Sequence, residues 1–310
     1  MRFILVCIAL VGVLIAGWAL KVSAAGSGIA VMMSSDQSRY HEAHRSFIKS
    51  MIARGYSQQV GEILVQTPNP DQLSWSNTVR KFNAYRPRVI VAYGAPAANV
   101  AMKESDGIPV VSVDYYALSK PVKGICGVSS RVPVVTLLKT LQDIKPFRRV
   151  GILYSGREAG SQRQAEDIRR AVLQLGATVL DGHFATSAAL DAGLNGFIDK
   201  VDVVIATESS VVYRALPRII ERAKSHSVPV VSTIPDAAEK GALLSLEINP
   251  QEQGHLAAEI VVRILEGASP EHLSLLMPKR IDLILNMRMA RELGITPSFS
   301  VLNSATRVIK

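Results

Sequence analysis

Cysteine is nearly missing from this sequence: its 310 residues include two, Cys7 and Cys126. Cys7 lies inside an N-terminal apolar run, so the body of the chain holds Cys126 alone. One thiol forms no internal disulfide, builds no cysteine-rich metal site and supplies no cysteine pair for catalysis. Within "GICGVS" its apolar neighbours point to a buried structural residue. Aromatic residues amount to only 5%, which weakens the case for a sugar pocket walled by rings. Nucleotide fingerprints fail, because no G-x-G-x-x-G follows an apolar run and no G-x-x-x-x-G-K-[ST] occurs. A nucleophile elbow, an ordered Ser-His-Asp set and a metal-spaced histidine cluster are missing as well. His41 and His44 stand three apart on one helical segment without a third ligand, and are read as part of a solvated face. No enzymatic activity, cofactor or metal is therefore expected. Concentrated basic charge is also lacking. The net charge of +9 comes from 35 Lys and Arg interleaved with 26 Asp and Glu, whereas nucleic-acid binding needs a clustered patch.

What is present begins at the N-terminus. Arg2 precedes an apolar run over residues 3–20, followed by Lys21 and the small-residue stretch "VSAAG". That order of basic, apolar and small residues reads as a secretory signal over residues 1–24, with the mature chain starting near Ala25. An uncleaved anchor is the alternative, since the run approaches the length that spans a bilayer. Cys7 lacks the preceding small residues of a lipidated cysteine. A hydrophobic content of 48% with 20% charged residues indicates a substantial core.

Past Gly28 short apolar runs alternate with amphipathic segments. Residues 29–33, 62–66, 89–93 and 109–113 read as strands, with helices over 40–54, 71–85 and 96–104. The pattern repeats: strands over 150–155, 178–181, 201–207 and 228–233, and helices over 161–175, 188–199 and 212–225. Continuous apolar runs between helical segments predict parallel sheets covered on both faces. The fold class expected is α/β, two doubly wound parallel-sheet domains joined by a hinge. The repeated "PVVS" at 109–112 and 229–232 supports two similar sheets. A helix over 251–266 and a strand over 281–286 imply further crossings. The lobes are expected to be 25–146 plus 248–272 and 147–247 plus 273–310. Open α/β sheets bind ligands beyond the carboxyl ends of their strands, so the expected site is the cleft between the domains.

The segment "GVSSRVPVVTLLKTLQDIKPFRRVGILYSGREAGSQRQAEDI" resembles the centre of the ABC-transporter substrate-binding family that includes tryptophan- and tyrosine-binding proteins. "SSVVYRALPRIIERAKSHSVPVVST" is similar to that family's next ligand loop and helix, and residues 240–295 are similar to its C-terminal portion. The resemblance covers residues 89–295 best. It implies a type I periplasmic-binding-protein fold outside the cytoplasm and delivery of a small solute to an ABC permease, by a monomer.

The opening of "SGREAGS" after "GILY" has the form of a strand feeding a helix start, which favours any anion. The resemblance implies that this loop, with Ser155, Glu158 and Ser161, meets a ligand carboxylate, and Ser161 fits a helix N-cap. "SSDQS" supplies Ser35 and Asp36. "YGAPAAN" supplies Tyr93, Gly94, Ala95, Pro96 and Ala97, where Gly94 permits close approach and Pro96 suits a first helical turn. "VDYY" places Asp114 for a ligand ammonium and Tyr115 for a ring stack. "ATESS" supplies Thr207, Glu208 and Ser209. There the family commonly carries Asp-Asn, so Glu208 keeps a carboxylate but extends it by one methylene. Glu247 is a further acid, read either as approaching the cleft or as part of a surface ion pair. The ligand expected is an amino acid or similar zwitterion. A membrane-anchored sensor of the same fold and a sugar or nucleoside receptor are the alternatives.

Overall fold

The computed structural model describes residues 28–116 and 125–310. The expected signal or anchor over residues 1–24 lies outside the described residues.

The first lobe begins with β1 (Ile29–Met33), α1 (Ser38–Ala53), α2 (Ser57–Gly61) and β2 (Leu64–Gln66). It continues with α3 (Gln72–Tyr85), β3 (Val89–Tyr93), α4 (Ala95–Glu104), β4 (Val110–Tyr115) and β5 (Cys126–Ser129). The chain then enters the second lobe through α5 (Val134–Ile144), β6 (Arg149–Tyr154), α6 (Ala159–Gln174) and β7 (Thr178–His183). There follow α7 (Ser187–Ile198), β8 (Val203–Ala206), α8 (Ser210–Ser225), β9 (Val230–Ser232) and β10 (Leu244–Ile248). Helix α9 (Pro250–Leu265) and the short β11 (Leu275–Leu276) return to the first lobe. Last come β12 (Ile281–Asn286), α10 (Met287–Glu292), α11 (Phe299–Ser304) and β13 (Arg307–Ile309), in the second.

The sheets have orders β11-β5-β4-β3-β1-β2 and β13-β12-β10-β9-β8-β6-β7. Five consecutive strands, running out to the edge strands β2 and β7, correspond one to one, so the repeated "PVVS" falls on equivalent strands, β4 and β9. All pairings are parallel except that of β10 with β12. Strands β1, β3 and β8 are buried along their whole length, as expected of Val- and Ile-rich runs covered by helices on both faces.

Helices α1 and α9 cover one face of the first sheet around Phe47, Met51 and Val261. Gly254 lets them approach: a Cβ there would lie 1.9 Å from the Ala43 carbonyl oxygen. Helices α3 and α4 cover the other face with Val79, Phe82 and Ala101. The second lobe has one large core, which includes Leu137, Leu138 and Leu141 of α5. That packing moves the first crossing from the expected residue 146 to the segment 130–133. Strand β11 pairs with β5, which keeps residues 273–276 in the first lobe instead of the second. The chain therefore crosses three times, after β5, after β10 and after β11. Cys126 is buried, its thiol donates to the Val110 carbonyl, and burial pushes its pKa up to about 11.

Candidate ligand-binding site

A cavity of about 260 Å³ lies between the carboxyl ends of the two sheets. Ser34, Gln37, Arg39 and Asp114 reach it from the first lobe, and Glu158, Gly160 and Glu208 from the second. The lobes meet around it. The Tyr116 hydroxyl donates to Asp167 Oδ2 at 2.9 Å, and Arg163 Nη1 donates to the Tyr115 hydroxyl at 3.4 Å. Gly160 faces α4 so closely that a Cβ would stand 3.4 Å from that of Ala95. The cleft is closed, at a volume below the roughly 300 Å³ at which pockets for drug-sized ligands begin.

The cavity floor carries a three-charge cluster. Arg39 Nη2 lies 2.9 Å from Asp114 Oδ2, and Nη1 lies 3.7 Å from Glu208 Oε2; all three side chains are at most 9% exposed. Two carboxylates thus face one guanidinium, leaving one excess negative charge when both are ionised. Burial opposes the Arg39 charge, but Asp114, Tyr40 and Glu208 outweigh it and raise the pKa above its already high value. Burial first, and the neighbouring Asp114 second, push Glu208 up to about 8, against the pull of Arg39. The Tyr40 phenol is pushed up to about 12, chiefly by burial.

Backbone geometry aims these groups. Asp114 stands at φ 62 within a register shift between β4 and β5. Asp tolerates that left-handed conformation better than most residues, and such irregularities re-aim side chains beside sites. Gln253 of α9 donates to Asp114 Oδ1 at 3.3 Å. Glu208 is held by Gln164, whose Nε2 donates to Oε1 at 3.2 Å and whose Oε1 accepts from the Glu208 N–H at 2.6 Å. Arg39 Nε and Nη1, Gln37 Oε1 and Ser130 Oγ are buried without a hydrogen-bond partner, and all belong to cavity residues. Buried polar atoms are normally paired, and these four unpaired atoms are concentrated in residues that line the cavity.

Above the floor, α4 and α6 point their N-termini at the cavity through Ala95 and Pro96 on one side and Ala159 and Gly160 on the other. The first N–H groups of a helix have no intrahelical acceptor, and the macrodipole adds partial positive charge. Two such ends facing one another suit an anion. Trp75, Val100 and Tyr213 add an apolar wall. Trp75 is fixed by donating its ring N–H to the Ser34 carbonyl at 3.2 Å.

Of the residues singled out from sequence, Ala95, Pro96, Asp114, Glu158, Ser161, Glu208 and Ser209 line the cavity. Gly94 stands behind it at φ 90, where a Cβ would lie 2.2 Å from Ser34 Oγ. The remainder do not line it. Tyr93 is fully buried against α1, near His44, and Ala97 is buried in the core between α3 and α4. Tyr115 is buried with its hydroxyl on Asn99, and the adjacent Tyr116 takes the cavity position. Ser35 accepts from Gln37, and Asp36 is exposed in an ion pair with His41. Ser155 and Thr207 are buried beneath the loop.

Ser161 is not an N-cap. Helix α6 starts at Ala159 with Glu158 as its cap residue. The Ser161 hydroxyl accepts from the Ser155 N–H at 3.1 Å and pairs with Thr207 at 2.8 Å, tying the loop to β8. Glu158 instead receives the backbone N–H and hydroxyl of Ser210, so it caps the start of α8. Ser209 caps α8 as well, accepting from Val212. These contacts occupy polar groups that sequence reading assigned to the ligand. His44 is not solvated either: it stacks on Phe47 against Tyr93, and burial lowers its pKa to about 4.

Arg39, Trp75, Gln37, Ser130 and Gln164 were not foreseen. Arg39 carried a legible signal, because it occupies the first turn of α1, where the helix dipole disfavours a cation.

Comparison with known proteins agrees with this architecture. A tyrosine-binding protein of Clostridioides difficile is 20% identical over 256 residues, covering 79% of this chain and 74% of its own. A conserved domain protein from Vibrio cholerae superposes with a TM-score of 0.85 at 24% identity, over 91% of this chain and 99% of the other. A Streptococcus pneumonia domain in complex with L-Trp gives 0.82 at 21% identity, with the same coverage. Residues 28–309 match the family model described as ABC transporter substrate binding protein. The chain belongs to that family and has the type I periplasmic-binding-protein fold.

Proposed function

We propose that this protein is the extracytoplasmic receptor of an ABC importer and captures a free amino acid by cleft closure, then presents it to the permease. The observation that carries the reading is the charge count on the cavity floor. Two buried carboxylates share one guanidinium, so a ligand ammonium supplies the second positive charge, in place of the proton that the raised Glu208 otherwise holds. Burying an unpaired charge is costly, and pairing it removes that cost. The ligand carboxylate lies between the N-termini of α4 and α6, and its side chain lies along Trp75 and Val100. A relative named for tyrosine and a fold neighbour complexed with L-Trp favour an aromatic side chain.

A thermal-shift screen of amino acids, sugars, nucleosides and small carboxylates tests this. A ligand at about 100 times its Kd stabilises a protein by about 2.7 kcal/mol. A shift with amino acids, reduced in Glu208→Gln, is the expected result. Shifts confined to sugars or nucleosides would contradict the ligand class.

A further inference from the structure

Building on the amino-acid reading, we infer that the closed site accepts a second ligand class: the carboxylic acid that lacks the ammonium group, bound when a proton occupies the Asp114–Glu208 pair in its place. The geometry supplies one position for one positive charge. Asp114 is held at 2.9 Å by Arg39, whereas Glu208 stands 3.7 Å from the same guanidinium, outside hydrogen-bond range. Glu208 is therefore the less well neutralised of the two acids. An ammonium or a proton completes the cluster equally in charge. The proton comes from solvent onto a Glu208 carboxylate oxygen, and no bond of the ligand changes.

The described groups nearest Glu208 are consistent with this exchange, and Lys103 and Arg157 are the other cations of the cavity lining. Arg39 on α1 and Asp114 on β4 supply the charges, and Gln164 on α6 and Thr233 after β9 supply hydrogen bonds. Tyr116 also feels the Glu208 charge, but burial and Asp167 push its phenol far above neutral pH. Glu158 lines the same cavity with its carboxylate occupied by Ser210. No histidine lines the cavity among the described residues, so Glu208 is the group positioned to titrate near neutrality.

Opening the lobes separates Glu208 from Arg39 and Asp114 and returns it to water, where it ionises in the ordinary carboxylate range. Proton counts for a single ligand therefore depend on the resting conformation. The difference between two ligands does not, because the free protein is common to both. The closed complex with the ammonium-free acid carries one more proton than the complex with the amino acid, across the window from the ordinary Glu range to about 8.

Calorimetric titration of the purified protein with L-tryptophan and with 3-indolepropionate, from pH 5.5 to 8 in two buffers of different ionisation heat, reads this directly. The expected result is one extra proton taken up with 3-indolepropionate. The affinity ratio of tryptophan over 3-indolepropionate then rises about tenfold per pH unit and flattens near pH 8. In Glu208→Gln the ratio becomes independent of pH. Tryptophan binding with equal proton counts and a flat ratio in the unmodified protein would overturn the inference and leave the amino-acid reading standing. Undetectable binding of 3-indolepropionate at pH 5.5, beside tight binding of tryptophan, would overturn it too. Failure of tryptophan and every other amino acid to bind would overturn the reading on which the inference rests.

Discussion

Replacing Arg39 with Met removes the only cation on the cavity floor, among the described residues, while preserving much of its length and packing. Asp114 then keeps the amide of Gln253, and Glu208 keeps that of Gln164, but the two buried acids face each other without a counter-charge. Breaking a buried pair by removing one partner costs about 3–5 kcal/mol. For a domain of 150–250 residues each kcal/mol moves Tm by about 2–4 °C, so Arg39→Met should lower it by about 6–20 °C. The loss depends on pH in a defined direction. An acid whose folded pKa is raised contributes stability that is present below its unfolded pKa and lost as pH rises through the folded one. Glu208 is already raised to about 8 with Arg39 in place, and removing the cation raises it further. Thermal unfolding at pH 5 and pH 8 should therefore show the larger loss at pH 8. Adding Glu208→Gln should recover part of it at pH 8 and little at pH 5. A loss below about 1 kcal/mol, equal at both pH values, would refute the claim that Arg39 neutralises a buried acid pair, since that is the scale of an exposed ion pair.

Gly94→Ala places a Cβ 2.2 Å from Ser34 Oγ and 2.6 Å from the Tyr40 hydroxyl at φ 90, and should cost about 1–3 kcal/mol in denaturant unfolding through strain at a special backbone position. Gly160→Leu wedges the starts of α4 and α6, which are 3.4 Å apart at the added Cβ; ligand affinity should fall at least about tenfold, equivalent to about 1.4 kcal/mol, with scattering showing a more open ligand-bound form. Glu247 is buried and its pKa is raised by that burial to about 7. Its contribution is therefore lost as pH rises from the ordinary Glu range through 7. Glu247→Gln should raise Tm relative to the parent at pH 8, with the gain vanishing near pH 4.5.

Sequence exposed the alternation of buried strands and helices because both faces of each sheet are covered, which turns strands such as Val89–Tyr93 into unbroken apolar runs. The same property hid the direction of side chains. With both faces apolar, period-two reasoning cannot say which of Tyr93, Tyr115 and Tyr116 points toward the cleft, and only Tyr116 lines it. Asp114 and Glu208 were legible because they directly follow apolar strands, although Asp36 and Glu158, which also follow strands, serve an exposed ion pair and a helix cap instead. Trp75 was hidden within a helix that read as an ordinary amphipathic segment, and Arg39 stood just before the expected start of the first helix, which the structure begins at Ser38. Pairings such as Glu158 with Ser210 join residues 52 apart, and no local pattern announces them. Strand Cys126–Ser129 and helix Val134–Ile144 escaped separate assignment, and with them the position of the first crossing.

The most direct measurement is a crystal structure of the protein with the amino acid that gives the largest thermal shift. The expected result is a closed cleft with the ammonium within hydrogen-bond distance of Asp114 and Glu208, and the carboxylate between the N-termini of α4 and α6. A ligand bound the other way round, with its carboxylate on Arg39 and its ammonium away from both acids, would contradict it.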